Sequence, residues 1–504
     1  MKKIIFLILS VAVAGCLASC DLDYMPQTSY NEGNVEVDEE TGSSFTTAQQ
    51  LKDHLASIYS NTMKSDVIQR CCVMDFLLYS ECRADNAYGG TTDGGVLPIE
   101  ANDIDATNIN ISRDWDDYQK GIRAANEIIC NIDRIREADE TMTDEQYQEW
   151  LSQAYCLKAY LLYKATQLWG DYPLNNSIPP AITDDNIEDV YWEYFPERSP
   201  IKTIHEQMIT ELEYAAQYAP DLNPSDKLLF SKAFANGMLA RYYAEAPCRD
   251  WTKVQQYCEA VEANSSLKLC DTFKELFWYD DKTPGDANRN TSESILEVTF
   301  STSNGTWLNW MFYRDMLLDP NNSYSWAKWI TPSRDLYDAY EAGDERRDVT
   351  IATDACTWSN YYPSDEYRFM GKVRTCASSI ILMRLAEIYL LHAEALAMQG
   401  DFSGATAYVN KVRERAGLDP VSVPSDQEAM LSVIFDERRL ELAFEGFRFF
   451  DLIRQGKAME VHDRMPQEDS YWQQRAPLQE FGYYLSVPVE AMDKNPSLVQ
   501  NPGY

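Results

Sequence analysis

A helical hairpin between Ile381 and Gly417 constrains the fold of this chain more than any other segment. It reads ILMRLAEIYLLHAEALAMQGDFSGATAYVNKVRERAG. Apolar residues in its first half recur at helical spacing, namely Leu382, Leu385, Tyr389, Ala393 and Leu396. Gly400 predicts a turn, Ser403 predicts the N-cap of a second helix, and Gly417 predicts its end. The segment has the pattern of one tetratricopeptide-like repeat, about 34 residues long.

A single helical hairpin leaves its apolar stripe exposed, so similar hairpins have to stack on it. Helical periodicity occupies residues 46–265 and 380–460, in about nine helices. Start signals support several of these helices, such as the capping box of Thr143 with Gln146 and proline after Ser199. We therefore predict an all-α fold, a tetratricopeptide-like helical repeat scaffold with long irregular loops.

Residues 271–379 interrupt the helical pattern. They contain one plausible short strand, Ile295–Phe300, among many Gly, Pro, Asn and Asp residues. Six of the twelve tryptophans fall here, and they are Trp278, Trp307, Trp310, Trp326, Trp329 and Trp358. Aromatic surface is thus concentrated where regular structure is lacking, and we expect this loop-rich region to carry a ligand site.

The N-terminus has the features of a targeting segment. Lys2 and Lys3 precede an apolar run that ends in Leu-Ala-Ser-Cys at Cys20. This pattern resembles a bacterial lipoprotein signal and predicts a signal peptide at residues 1–19, with acyl chains attached to Cys20. Cys16 ends a competing match, and an ordinary secretory leader is the other alternative. Residues 20–45 would form a lipid-anchored tether, and residues 46–504 the folded body.

Charge and missing motifs exclude several classes of function. The formal net charge is −36, which makes nucleic acid an unlikely partner. Four scattered histidines and the lack of HExxH, GxSxG and P-loop patterns argue against metalloproteases, hydrolases and nucleotide enzymes. We predict no cofactor and no metal, with calcium in the Asp-rich loops left open. The ten cysteines after Cys20 are predicted to be buried apolar residues, with disulfides left open.

The tryptophans suggest sugar binding, because a sugar ring has an apolar face and a rim of hydroxyls. Exposed flat aromatics suit the face, and Asp, Asn or Arg side chains suit the rim. Trp307 and Trp310 are three residues apart, as are Trp326 and Trp329, so either pair could present two rings. Trp358 is a fifth candidate. The alternative for each is burial in the core.

A Gly-rich loop between Arg83 and Asn110 offers a second group of candidates. Arg83, Asp85, Asn86 and Tyr88 combine one ring with polar partners in a short stretch. The alternative is a turn in which Asp and Asn satisfy the local backbone.

A charged cluster near residue 440 is predicted to be structural. Its members are Glu437, Arg438, Arg439, Glu441, Glu445, Arg448 and Asp451. A glycosidase needs two acids on either side of a cleft, whereas these acids share one helix face with arginines between them. Ion pairs that hold helices together are the favoured interpretation.

Four separated segments resemble one family. DERRLELAFEGFRFFDLIRQG (Asp436–Gly456), NPSLVQNPGY (Asn495–Tyr504) and AYCLKAYLLYKATQLWGDYPL (Ala154–Leu174) resemble signatures of the SusD/RagB outer-membrane nutrient-binding lipoproteins, and the lipobox followed by DLDYMPQ fits as well. The resemblance implies a scaffold of tetratricopeptide-like helix pairs whose loops form a glycan site.

The same resemblance implies a function. The chain would be a surface-exposed lipoprotein of the outer membrane, not an enzyme, that captures oligosaccharide and delivers it to a SusC-like TonB-dependent transporter. Alternatives are a peptide-binding member of the family, a repeat scaffold that binds only protein, and a glycoside hydrolase.

Overall fold

The fold is a stack of helices. A computed structural model describes residues 45–90, 94–180, 185–277, 289–312, 329–356 and 361–504. Helices of ten or more residues in these ranges are α1 (Ala48–Ser57), α2 (Ile109–Ile129), α3 (Asp144–Trp169), α4 (Ile201–Tyr218), α5 (Lys232–Ala244), α6 (Trp251–Glu262), α7 (Leu385–Met398), α8 (Phe402–Arg415), α9 (Gln427–Glu441) and α10 (Ala458–Glu468). The all-α prediction is confirmed.

Helices α2 to α9 pack in sequence order, each against the next. Close approach of α2 and α3 depends on Gly121, because a Cβ there would lie 2.6 Å from a methyl carbon of Leu161. The stack continues across the loop-rich region: Glu262, at the end of α6, accepts hydrogen bonds from Tyr408 on α8 (2.7 Å) and lies 2.7 Å from His392 on α7. The helical stack is therefore one continuous body.

The predicted hairpin is present as α7 and α8, with two corrections. Residues Ile380–Arg384 form a strand, so the helix starts at Leu385 rather than Ile381. The second helix is capped by Asp401, whose side chain accepts from the amide of Gly404, and not by Ser403. Gly400 has φ +87° and Gly417 has φ +78°, the left-handed conformation that favours glycine at helix ends.

Several predicted helix starts are also observed. Thr143 and Gln146 form a reciprocal capping box at α3, and Ser231 caps α5 by accepting from the amide of Phe234. The helix after Ser199 begins at Ile201, with Pro200 at its N-cap. These starts depend on contacts within four residues, which is why the sequence predicts them.

Shorter helices connect the long ones. Those of three to seven residues are Asp75–Leu77, Leu97–Glu100, Ile132–Ala138, Ile187–Val190, Lys274–Phe277, Asn309–Phe312, Arg334–Ala339, Arg346–Thr350, Arg448–Arg454 and Val489–Lys494. π-Helical turns span Ile58–Thr62, Val67–Met74 and Leu78–Cys82, and 3₁₀ turns span Tyr191–Tyr194, Ala246–Cys248, Ser470–Trp472 and Glu480–Tyr483.

Eight short strands pair as four antiparallel two-stranded sheets in the described residues. They are β1 (Ala87–Gly89), β2 (Tyr172–Pro173), β3 (Arg198–Ser199), β4 (Ser294–Val298), β5 (Ile330–Pro332), β6 (Ile351–Asp354), β7 (Tyr367–Met370) and β8 (Ile380–Arg384). The pairs are β1 with β5, β2 with β3, β4 with β8 and β6 with β7. The predicted strand at 295–300 corresponds to β4.

The charged cluster is a buried ion-pair network, as predicted. Arg384 lies 2.5 Å from Glu441, 2.8 Å from Glu293 and 2.7 Å from Glu445. Burial alone would raise the pKa of the Glu441 carboxyl, but Arg415, Arg384 and a third arginine hold it well below its ordinary value. The Glu441 carboxyl therefore stays ionised, and the network joins β8 and α9 to the residue before β4.

The ten cysteines of the described residues are all free thiols, and seven of them are buried. Among the same residues, no helix is both long and apolar enough to cross a membrane.

Candidate ligand-binding site

A cluster of aromatic rings lies beside the β1–β5 sheet. Tyr88 on β1 is stacked on Tyr361, with ring centroids 5.3 Å apart and planes 17° from parallel. Tyr471 lies 5.3 Å from Tyr361 and 5.6 Å from Tyr88. The rings of Tyr362 and Trp472 are buried and pack against Tyr88. Since Tyr471 is 38% exposed and Tyr361 half-buried, the cluster has an accessible side. We call these five residues the tyrosine platform.

Arg334 and Asp469 add polar groups to the platform. The guanidinium of Arg334 lies 4.7 Å from the centre of the Tyr471 ring, a cation–π contact. It also lies 3.3 Å from Asp469, and it donates to the backbone carbonyl of Tyr361. Tyr88 donates its hydroxyl proton to Asp469. The rings are thereby held in fixed positions beside a charged pair.

Trp310 presents an exposed indole on a neighbouring segment. It belongs to the short helix Asn309–Phe312 and is 47% exposed, whereas Trp307 is half-buried against the core. The Trp310 indole is therefore accessible to a ligand.

Hydrogen bonds link this helix to the platform. The amide of Trp329 donates to the carbonyl of Met311 (2.9 Å), and the amide of Gly90 donates to the carbonyl of Trp329 (3.2 Å). Next along β1, the Gly89 carbonyl accepts from the Tyr361 hydroxyl at 2.5 Å. The Trp310 helix is therefore joined through Trp329 and β1 to the tyrosine platform.

Largely exposed aromatic side chains share one property: all of those in the described residues lie outside the long helices. They are Tyr191, Trp192, Tyr194, Trp310, Tyr471, Phe481, Tyr484 and Tyr504. A repeat scaffold that used its helical face to bind protein would place rings on the helices instead. The arrangement favours ligand contacts made by loops.

The structure corrects the predicted exposure of five candidates. Arg83, Asp85, Asn86, Tyr88 and Trp329 are all buried, so they face the interior and not a ligand. Tyr88 supports the exposed rings of the platform from below. Trp326 and Trp358 lie outside the described residues, and so does the predicted lipidation residue, Cys20. Of the nine predicted ligand residues, Trp307 and Trp310 keep some exposure.

Asp85 and its neighbours explain why the Gly-rich loop is buried. Arg448 donates two hydrogen bonds to the two oxygens of Asp85, at 2.7 and 2.8 Å. Arg439 contacts the same carboxylate at 3.3 Å and donates to the side-chain oxygen of Asn86 at 2.8 Å. Burial alone would raise the pKa of Asp85, but Arg439 and Arg448 hold it well below its ordinary value. The loop is thus an anchor for the C-terminal helices.

We expect Asp85→Asn to lower the free energy of unfolding at pH 7 by about 3 kcal/mol, because Arg448 loses the carboxylate that it binds with two hydrogen bonds and Arg439 keeps only its pair with Asp335. A carboxyl with a depressed folded pKa stabilises the protein above its unfolded pKa, 3.8 for Asp. That contribution is lost as the pH falls through the folded value.

Urea titrations of wild type and variant between pH 7 and pH 3 measure the difference between their free energies of unfolding. We expect this difference to become smaller below about pH 4. Asp463→Asn, at an exposed position, is the control and should change stability by less than about 0.5 kcal/mol. A difference in the free energy of unfolding that does not change with pH would contradict the ion-pair role of Asp85.

Sequence reasoning missed Tyr361, Tyr471, Arg334 and Asp469. The signal for them is two aromatic doublets, Tyr361-Tyr362 and Tyr471-Trp472, each surrounded by turn-forming residues. Tryptophan counts alone do not reveal these doublets. No local sequence pattern predicts that Arg334 contacts these doublets, because the contact joins segments that are distant in sequence.

The arrangement can bind a neutral polyhydroxylated ring. Aromatic faces at Tyr471 and Trp310 can stack on the C–H face of a sugar, while Arg334 and Asp469 can exchange hydrogen bonds with hydroxyls. Asp469 is paired with Arg334 and accepts a hydrogen bond from the hydroxyl of Tyr88, so its carboxylate is held in a fixed position at the edge of the platform.

Comparisons with protein families match most of the chain. A model of the SusD family matches residues 371–504, and a model described as starch-binding associating with outer membrane matches residues 34–244. SusD-like protein P2 from Formosa agariphila is 27% identical, in an alignment that covers 100% of this chain and 99% of that protein.

Solved structures show the same fold. A SusD superfamily protein from Bacteroides vulgatus superposes with a TM-score of 0.73 at 17% identity, covering 90% of this chain and 99% of that one. Surface glycan-binding protein A from Bacteroides thetaiotaomicron, solved in complex with laminarihexaose, gives a TM-score of 0.71 at 19% identity, covering 90% and 100%. The two family models together match more than half of the chain and confirm the resemblance, so the chain belongs to the SusD/RagB family.

Proposed function

We propose that this protein binds glycan on the surface formed by the tyrosine platform and Trp310, and delivers it to a SusC-like TonB-dependent transporter of the outer membrane. The stacked tyrosines with Arg334 over the exposed Tyr471 ring are the observation that carries the proposal. A buried ion-paired core beneath the surface holds these groups rigidly, which reduces the entropy lost on binding.

Two further observations support glycan as the ligand class. The family model over residues 34–244 is described as starch-binding, and the similar protein from Bacteroides thetaiotaomicron was solved with laminarihexaose. Two or three stacked rings with a few hydrogen bonds give affinities in the μM to mM range, about −8 to −4 kcal/mol. Such affinity suits a protein that has to release what it captures.

Affinity electrophoresis through gels containing laminarin, amylopectin, arabinoxylan or galactomannan tests the proposal. Retardation in at least one gel, followed by calorimetry with the corresponding oligosaccharide, is the expected result. Free migration in all four gels, together with binding to a peptide library, would favour the peptide-binding alternative.

We propose that a lipid on Cys20 anchors the protein. Each buried methylene contributes about 0.8 kcal/mol, so several acyl chains hold a body of this size at the membrane. Cys20→Ala should move the protein from the membrane fraction to the soluble fraction when cells are fractionated. Cys16→Ala is the matched control and should leave it in the membrane fraction. The reverse pattern would assign the anchor to Cys16.

We propose that the bound glycan is not cleaved. The acids of the charged cluster are held by arginines, and Asp469 is paired with Arg334. The purified protein should therefore release no reducing sugar from the glycan that it binds. Turnover that is lost in Asp469→Asn would favour the hydrolase alternative.

A further inference from the structure

A groove far from the platform in sequence has a similar chemical character. It lies between α2 and the segment that connects α3 to α4, and its cavity volume is about 710 Å³. This is within the 300 to 1,000 Å³ of typical ligand pockets. The groove and the tyrosine platform share no residue. We call it the α2 groove, and the residues used below are Gln119, Arg123, Asn126, Trp192 and Tyr194.

Trp192 forms one wall of the α2 groove. Its side chain is 62% exposed, more than that of Trp310. The Tyr191 ring packs edge-on against the indole, with centroids 5.2 Å apart and planes at 84°. Tyr194, two residues further along, donates its hydroxyl proton to the Pro180 carbonyl at 2.6 Å. This hydrogen bond joins two parts of the segment that connects α3 to α4. The indole is therefore both supported and accessible.

The floor of the groove carries an unsatisfied acceptor. Asn126 is almost fully buried, and its Nδ2 donates to the Asn175 carbonyl at 2.9 Å. Because that carbonyl can only accept, the orientation of the amide is fixed and Oδ1 faces away from it. Oδ1 has no hydrogen-bond partner in the described part of the chain. A buried acceptor without a partner costs about 1 to 3 kcal/mol, which a ligand hydroxyl would recover once a small movement of the amide exposes Oδ1 to the groove.

The two cations that line the groove, Lys120 and Arg123, each have an anionic partner, and a further carboxylate, Glu193, also lines it. Lys120 pairs with Asp117 at 2.9 Å, and Arg123 pairs with Glu127 at 3.4 Å. An anionic ligand would have to break these pairs, whereas a neutral ligand with hydroxyls would not. The amide of Gln119 lines the same side. One exposed ring opposite amides and paired charges fits an uncharged sugar better than the apolar face of another protein.

We infer that the α2 groove is a second carbohydrate-binding site, with Trp192 stacking on a neutral sugar and Asn126 accepting from one of its hydroxyls. This inference rests on the proposed function, because it assigns a second site to the same class of ligand. A polysaccharide long enough to reach both sites would bind with avidity, and its apparent affinity would exceed that of either site alone by a factor of about 10² or more.

Oxidative footprinting read by mass spectrometry tests the two sites separately. The purified protein is labelled alone and with saturating laminarin, amylopectin, arabinoxylan or galactomannan, and oxidation is quantified at Trp192 and Trp310. We expect one polysaccharide to protect both indoles. Trp192→Ala should then weaken binding of that polysaccharide at least about tenfold while Trp310 stays protected. Phe481→Ala, an exposed ring elsewhere, is the control and should change neither result.

The other outcomes separate the inference from the proposed function. Protection of Trp310 alone would overturn the second site and leave the function intact, and protection of Trp192 only in a complex with the transporter would assign the groove to a protein interface. Protection of Trp192 alone would support the groove and overturn the tyrosine platform. Protection of neither indole by any of the four would overturn both.

Discussion

Arg384→Ala is expected to lower the free energy of unfolding by about 3 kcal/mol, because it removes one buried cation from three buried carboxylates at once. Arg384 is almost fully buried and contacts Glu293, Glu441 and Glu445 within 2.8 Å. Arg415 also contacts Glu293 and Glu441, but it cannot replace the contact with Glu445. The loss should appear as a lower urea midpoint at pH 7.

Two controls separate charge from packing. Arg384→Met retains much of the side-chain volume but removes the charge, so it should cost nearly as much as the alanine variant. Arg347→Ala removes an arginine whose pair with Asp348 is largely exposed, and it should cost less than about 1 kcal/mol. Equal losses for Arg384→Ala and Arg347→Ala would mean that the network contributes little.

Trp310→Ala and Tyr471→Ala are each expected to weaken glycan binding about tenfold, with little effect on folding. An aromatic contact contributes about 0.5 to 1.5 kcal/mol beyond the apolar area that it buries, and 1.4 kcal/mol corresponds to tenfold in affinity. Both side chains are largely exposed, so their removal leaves no cavity in the core. Calorimetry with an oligosaccharide identified in the gel assay measures the change.

Conservative variants test whether the rings act by stacking. Tyr471→Phe and Trp310→Phe keep a flat ring and should retain most of the affinity. Phe481→Ala removes an exposed ring outside the surface and should retain all of it. Full affinity in both alanine variants would remove these residues from the site.

The helical stack could be predicted from sequence because its determinants are local. Apolar spacing defines each helix, and caps such as Thr143 and Ser231 act within four residues. The exception is Ile380–Arg384, which reads as the first turn of a helix. Its pairing with β4 makes it a strand, and no local pattern contains that information. Tertiary pairing outweighs the propensity of such a short apolar run.

The candidate site was harder to predict because it assembles distant segments. Tyr88, Tyr361 and Tyr471 come from three separate parts of the chain, and only folding brings their rings within 6 Å. The exposure of Trp310 agrees with the sequence prediction, and its role in binding stays a prediction. Trp329 shows the limit of tryptophan counts, since its position beside β5 buries it.

The pairing of β4 with β8 has a consequence for how such proteins diversify. The two strands bracket most of the loop-rich region, and their antiparallel register sets Ser294 beside Arg384 and Val298 beside Ile380. The polypeptide leaves and rejoins the helical body at neighbouring points, so an insert of another length adds only a small closure entropy. A segment of a relative spliced between these strands should replace Trp310, Arg334 and Tyr361 while the body keeps its shape, and it should leave Tyr88 and Tyr471 in place.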